Sequence, residues 1–498
     1  MALKFITAEE AASYIHHDDT VGFSGFTPSG CPKVVPEAVA KKAIAEHEKG
    51  NPFQIGMITG ASADDKLDGE LARAHAIKFR TPYQTNKSIR AAINDQDAQY
   101  YDLHLSEVAQ DIRFGHFGKV DTVILEAADV TEDGEIIPTS AVGNLPTLCR
   151  MADRIIVELN SYHPKEIRGI HDIYEPLDPP YRREIPIYSP EDRIGTDCIK
   201  VDPKKIVGVV KTYEPNQPKK FTPLDDVTIA IGKNVANFFV EELRAGRLPK
   251  EFVPLQSGVG NVANAVLGSM GESPEIPPFN VYTEVIQDAV IKMMKEGRVK
   301  FASGCSLTVS NEALQEVYND LDFFKKRIVL RPQEISNNPE IVRRLGVISI
   351  NTAIEADIFG NINSSHICGT KLMNGIGGSG DFTRASMLSI FTTPSTAKDG
   401  CISSFVPMVS HLDHSEHSVK VIISEYGVAD LRGKSPVQRA RCIIDNCVHP
   451  DYKPLLEEYL NMGIKGHIPH NLKCCFAFHN EFNKSGDMRN VDWSNYNK

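Results

Sequence analysis

The chain has 498 residues, 41% hydrophobic and 24% charged, with 35 Gly and 30 Pro. At roughly 150 residues per domain that is room for two or three packed domains, and it excludes a small stapled scaffold and a disordered chain. Lys and Arg number 54 against 65 Asp and Glu, a net charge of −11, so the overall field repels polyanions and argues against nucleic-acid or anionic-membrane partners.

The start, Met1-Ala2-Leu3-Lys4 running into Thr7-Ala8-Glu9-Glu10, has neither the apolar stretch of a signal peptide nor an Arg-rich transit bias, and no apolar run approaches a membrane span. Ten cysteines are scattered without a CxxC pair, the usage of reduced thiols, and a cytoplasmic location is expected. Gly22 to Gly30 forms a glycine-rich turn opening a helical pattern. Asp121-Thr122-Val123-Ile124-Leu125 reads as a strand leading to Ala128-Asp129-Val130, Gly134 and Ile136. Ser161 to Pro190 carries six prolines and is too long for an ordinary connection, so a packed excursion or partner contact is expected.

Thr212 to Asp226, broken by Pro215, Pro218 and Pro223, reads as a linker, and two domains are placed at 1–216 and 217–498. Lys233 to Ala245 has helical spacing of Val235, Phe238, Phe239 and Leu243, stopped by Gly246. Phe252-Val253-Pro254-Leu255 reads as a short strand at an edge or strand end, Gly258-Val259-Gly260-Asn261 as a turn, and Val262 to Leu267 as the next helix. Phe279 to Tyr282 reads as a strand and Thr283 as the N-cap of a helix stopped by Gly297. Glu284 would then sit in the first helical turn, kept ionised by the positive helix end, although such acids are commonly only dipole compensation. Val347-Ile348-Ser349-Ile350 leads to Ala356-Asp357-Ile358, Gly360 and Ile362, echoing the pattern after Asp121 and suggesting a duplicated α/β domain. Strands alternate with helices throughout, as in parallel sheets covered by helices.

Gly375 to Gly380 spells GxGxxG, but a polar segment and not a strand precedes it, and Asp381-Phe382-Thr383 follows where a dinucleotide-binding helix should open. The nicotinamide reading is therefore set aside, and the glycines are read as bringing backbone amides close to a ligand oxygen. His411, His414 and His417 have the composition of a metal cluster without the helical context that would make them converge, so no metal is assigned.

Taken together, several long motifs resemble one family: the acetyl-CoA hydrolase/transferase family of class I CoA-transferases, in its succinyl-CoA:acetate branch. They are Gly25-Phe26-Thr27 with Gly30, Pro32-Lys33 and Val35-Pro36; Gln256 to Asn261; Tyr282 to Asp288; Gly377 to Phe382; Ala397 to Gly400; Val406 to His411 through Glu416-His417; and Ala429 to Gly433. The resemblance covers nearly the whole chain. It implies two related open α/β domains with the active site at their interface, usually in a homodimer, and makes Glu284 the nucleophile that forms an acyl-glutamyl anhydride and then a glutamyl-CoA thioester. It implies Val259 and Gly378 as oxyanion donors, Asn337 as a polar group at the reacting acyl, and Glu425 as a supporting carboxylate. Gly258, Val259, Gly260, Asn261, Val262, Ile354, Gly378 and Lys398 are implied as CoA contacts. Acyl-CoA and short carboxylates are the implied substrates, CoA thioester being substrate and no further cofactor being needed. Lys219 and Lys220 sit where a basic carboxylate anchor is expected. Acetyl-CoA hydrolysis and propionyl-CoA:succinate transfer are the competing activities. A non-catalytic acyl-CoA sensor is the competing class, against which a retained Glu284 and the lack of a basic patch both speak.

Overall fold

The computed structural model describes residues 2–218 and 223–496; Lys219 and Lys220 lie outside the described residues. Packing divides the chain into two compact units, but discontinuously. The first holds Met1–Lys220, Asn280–Leu345 and Asn374–Asp381, and the second holds Phe221–Phe279, Gly346–Met373 and Phe382–Lys498. A single cut at 216/217 therefore does not describe the packing, and Glu284 belongs with the N-terminal residues. Buried ion pairs explain why. Both terminal guanidinium nitrogens of Arg113 reach Glu334 at 2.7 Å, Arg331 pairs with Asp172 where neither side chain is more than 2% exposed, and short bridges join Ala141 to Ser306 and Gly143 to Pro332. Desolvated charges and backbone groups of this kind must find partners, which fastens the returning segment to the first unit.

The first unit is built on a nine-stranded sheet. Seven of its strands are parallel, Thr20–Phe23 standing between Ile55–Ile58 and Thr122–Val130, with Arg154–Asn160 and Ile206–Thr212 following the latter. Thr122–Val130 is buried almost throughout because both its faces are covered, and six of its nine residues are apolar. Its end turns into the antiparallel strand Glu135–Pro138. The second unit repeats this plan: Leu255–Ser257, Ile348–Thr352, Leu388–Thr392 and Val421–Ser424 are consecutive parallel neighbours. After Ile348–Thr352, Glu355–Asp357 pairs antiparallel with Ile362–Asn363. The duplication expected from the sequence is thus present as a repeated run of four parallel strands with a hairpin after the second.

Several local boundaries differ from expectation. The helix read from Lys233 begins at Asp226, capped by Asp225 accepting from the Thr228 amide at 2.8 Å, and ends at Arg244. The strand read over Phe252–Leu255 starts only at Leu255, since Pro254 has no N–H to give the ladder. Ser161–Pro190 is a packed excursion: Ile167, Ile170, Ile185 and Ile187 are buried, and Arg344 donates to the carbonyls of Ile185 and Ile187. All ten cysteines are free thiols. Among the described residues no helix is long and apolar enough to cross a membrane.

The first unit's core encloses a charged network. Lys33 Nζ lies 2.5 Å from Glu126, both side chains fully buried, and Asn160 and Thr139 also donate to that carboxylate, with His163 at 3.2 Å. Burial alone would raise the Glu126 pKa, but Lys33 and then His163 outweigh it and hold the carboxyl well below its usual range. The resulting stabilisation is in place above the ordinary value of 4.5 and is lost as the pH falls. Lys33→Met leaves this anion without its cation and is expected to cost about 3–5 kcal/mol of folding stability at pH 7. Calorimetry against the parent checks this, and a loss below about 1 kcal/mol would show the pair to be dispensable.

Candidate active site

Glu284 does not start a helix. Gln287 is the N-cap of the helix Asp288–Lys295, and the two-residue strand Val285–Ile286 separates Glu284 from it. That strand pairs in parallel with Ser306–Leu307. The Glu284 carbonyl accepts from the Cys305 amide at 2.7 Å, which fixes the backbone while the side chain projects from a turn. Two-residue pairing of this kind carries no helical or strand periodicity, so the expectation of an N-cap at Thr283 misplaced the residue by one short element.

The Glu284 carboxylate accepts from Asn337 Nδ2 at 3.0 Å. Asn337 closes the short helix Gln333–Ser336 and is itself fully buried; its Oδ1 accepts from Ser336 Oγ at 2.9 Å. Gly378 lies against this pair. A Cβ placed there would collide with Glu284 Oε1 and Asn337 Nδ2. The turn carrying Gly378 is held from below: Ile376 N–H donates to Asp102 at 2.9 Å, Asn374 Nδ2 to the Tyr83 hydroxyl at 3.0 Å, and the Tyr100 hydroxyl to the Asn374 carbonyl at 2.9 Å. Gly377 has a φ of +58°, and a Cβ there would stand 3.2 Å from the Tyr83 ring, so a side chain would be both strained and crowded.

The electrostatics also differ from expectation. Burial raises the Glu284 carboxyl to about 7, the Asn337 hydrogen bond only partly opposing it. The group is poised near neutrality and not held firmly ionised by a helix end. A second carboxyl stands beside it, one that sequence reasoning passed over. Asp381 is 4% exposed and accepts from the backbone N–H and hydroxyl of Ser106 at 3.1 and 2.6 Å. Asn337 Nδ2 is 3.4 Å from it. Burial raises Asp381 to about 8, against the Ser106 bonds and with the Glu284 charge adding to the rise. Where the sequence argues against a dinucleotide-binding helix after the glycines, a seven-residue helix, Ser379–Ala385, opens. The strand before the motif is the two-residue Lys371–Leu372, hairpinned with His366–Ile367 and not part of a central sheet.

In the second unit the expected residues gather at the carboxyl ends of its parallel strands, where open α/β sheets bind ligands. Gly258, Val259 and Gly260 follow Leu255–Ser257; Gly260 has a φ of +121° and Asn261 and Val262 begin the helix Asn261–Glu272. Val259 is 46% exposed. The Gly258 amide is spent on the Ile350 carbonyl at 3.1 Å, and Ile354 follows the neighbouring strand, its N–H donating to Asn363. Glu425 accepts from the Ser395 hydroxyl at 2.5 Å and amide at 2.9 Å, joining the ends of two further strands. Exposed Lys398 lies over the Phe482 ring with a φ of +49°. The three histidines diverge. His414 packs on Phe391, His411 stacks on His366, and His417 is exposed.

Two parallel α/β units of one plan, with a poised carboxyl under a glycine turn in the first and glycine turns at the strand ends of the second, form the fold class of the CoA-transferases. Its structural neighbour RipA from Yersinia pestis matches with a TM-score of 0.71 at 20% identity, over 91% of this chain and 96% of that one. Family models of the acetyl-CoA hydrolase/transferase N-terminal and C-terminal domains match residues 2–211 and 314–460. The chain is 50% identical over 483 residues to the propanoyl-CoA:succinate CoA transferase of Escherichia coli, covering 97% of this chain and 98% of that one. It is also 50% identical over 489 residues to the succinyl-CoA:acetate CoA-transferase of Clostridium kluyveri, covering 98% and 90%. The chain belongs to the acetyl-CoA hydrolase/transferase family and is an enzyme of the CoA-transferase kind.

Proposed function

We propose that this enzyme moves CoA between succinyl-CoA and acetate, with Glu284 as the nucleophile. The observation that carries this reading is the Glu284 carboxyl, poised near neutral pH by burial and set against Gly378 and Asn337. In the first step a Glu284 oxygen bonds to the thioester carbonyl carbon and the C–S bond breaks, giving an acyl-glutamyl anhydride and CoA thiolate. The thiolate then attacks the glutamyl carbonyl, the anhydride C–O bond breaks, and succinate leaves a glutamyl-CoA thioester. Acetate attacks that carbonyl and expels the thiolate, which takes the acetyl group and frees Glu284. The proton count is unchanged throughout, so no general acid is required.

Each tetrahedral step develops an oxyanion, for which the Gly378 and Val259 amides are the proposed donors. Asn337 holds the attacking carboxylate in line, and Glu425 is assigned a supporting role through Ser395. Gly258, Gly260, Asn261, Val262, Ile354 and Lys398 are the proposed CoA contacts. The relatives at equal identity carry two different substrate pairs in their names, so succinyl-CoA should be assayed against acetate, propionate and water, with ping-pong rates expected. Release of succinate from succinyl-CoA should depend on acetate and be matched by acetyl-CoA, because a site that excludes water protects the anhydride. Equal release with and without acetate would make the enzyme a hydrolase, and a preference for propionate would reassign the acceptor.

A further inference from the structure

Asn337 Nδ2 has two hydrogens and two carboxylates in reach, Glu284 at 3.0 Å and Asp381 at 3.4 Å. Its Oδ1 accepts from Ser336 Oγ, and this places the donor side of the amide toward both acids. Asp381 is in turn pinned by two donors of Ser106, on the segment whose Asp102 holds the Ile376 amide. It also stands three residues beyond Gly378, on the helix that the glycine turn enters. One buried acid is therefore tied to the nucleophile's hydrogen-bond partner and to the backbone lying against the nucleophile. A bland role in capping the turn would not require contact with Asn337.

We propose that Asp381, anchored by Ser106, is a positioning residue for the reaction: it sets the Asn337 amide on Glu284 and fixes the height of the Gly378 turn above the carboxylate. This rests on Glu284 being the nucleophile. The site works with Asp381 protonated. Once ionised, Asp381 draws the Asn337 amide more strongly toward itself and sets a second negative charge beside a carboxylate that is about to feed an oxyanion. The titratable groups around Asp381 are Glu284, reached through Asn337, His104, whose ring lies against Gly380, and Tyr83 and Asp102 beneath the turn.

The test compares the full-length parent, Asp381→Asn and Ser106→Ala in kcat, KM for succinyl-CoA, the pH profile of kcat/KM, and trapping of CoA on Glu284. For the parent, kcat/KM should rise as the pair loses its first proton and fall as it loses the second. Asp381→Asn should lower kcat about tenfold or more with KM little changed, since a small misplacement of reacting groups is enough for that, and should abolish the alkaline fall. Ser106→Ala removes a donor that favours the ionised acid, so it should move that fall to higher pH, and it carries the test if Asp381→Asn does not fold. Normal kcat in both variants, or a lowered kcat with an unshifted pH profile, overturns the positioning role. Absence of a CoA adduct on Glu284 in the parent overturns the nucleophile assignment instead, so the two failures are distinguishable.

Discussion

Glu284→Gln is expected to abolish CoA transfer and, at the same time, to make the protein more stable at neutral pH. The loss follows from the proposed covalent route, since an amide oxygen neither forms the anhydride nor leaves as a carboxylate. Glu284→Asp keeps the charge but withdraws it by one methylene, and should also lose most activity because attack requires near-contact alignment. The gain in stability follows from linkage. A carboxyl whose folded value is raised from 4.5 to about 7 opposes folding once the unfolded chain ionises it. The penalty is absent below pH 4.5, where both states are protonated, grows as the pH rises, and reaches about 3 kcal/mol above pH 7. Glutamine accepts the same Asn337 hydrogen bond without a charge to desolvate. Calorimetry should therefore find the variant more stable than the parent at pH 8 and level with it near pH 4. A variant that loses activity but is no more stable at pH 8 would show that the carboxylate is well solvated and not poised by burial.

Gly378→Val has the second largest expected effect. The new Cβ would fall on Glu284 Oε1 and Asn337 Nδ2, both anchored, so neither can step aside cheaply. Either the carboxylate is pushed out of line or the turn lifts and withdraws the amide proposed to bind the oxyanion. Loss of one such donor costs on the order of a hundredfold in kcat, and displacement of the nucleophile adds to it. Gly378→Ala should behave alike in milder form. Near-normal turnover in a folded Gly378→Val protein would remove this turn from the chemistry.

The contrast between what the chain reveals in order and what it conceals lies in range. Thr122–Val130 and Ile348–Thr352 are legible from the apolar runs Val123-Ile124-Leu125 and Val347-Ile348-Ser349-Ile350, as expected of strands covered on both faces, and the pattern that follows each run repeats. Family motifs singled out Glu284, Asn337 and Gly378, and these three meet in the first unit. What order could not show is what arises between distant segments. The groups that meet the Glu284 carboxylate come from far along the chain, Asn337 53 residues on and the turn at Gly378. Asp381 draws no notice as a site residue because its partner Ser106 is 275 residues away. The discontinuous units rest on pairs such as Arg113 with Glu334, which no window of sequence contains. One signal was available: two acids, Glu284 and Asp381, each within a resembling motif.

The most direct measurement of the central claim is to trap the covalent enzyme. Incubated with succinyl-CoA and no acceptor, then reduced with borohydride and digested, the protein should yield the peptide containing Glu284 with its carboxyl reduced to the alcohol and its mass lowered accordingly. Only this carboxyl should change, and addition of acetate before borohydride should prevent it. An unmodified Glu284 peptide from enzyme that transfers CoA at full rate would contradict the anhydride route and require direct transfer between two bound substrates.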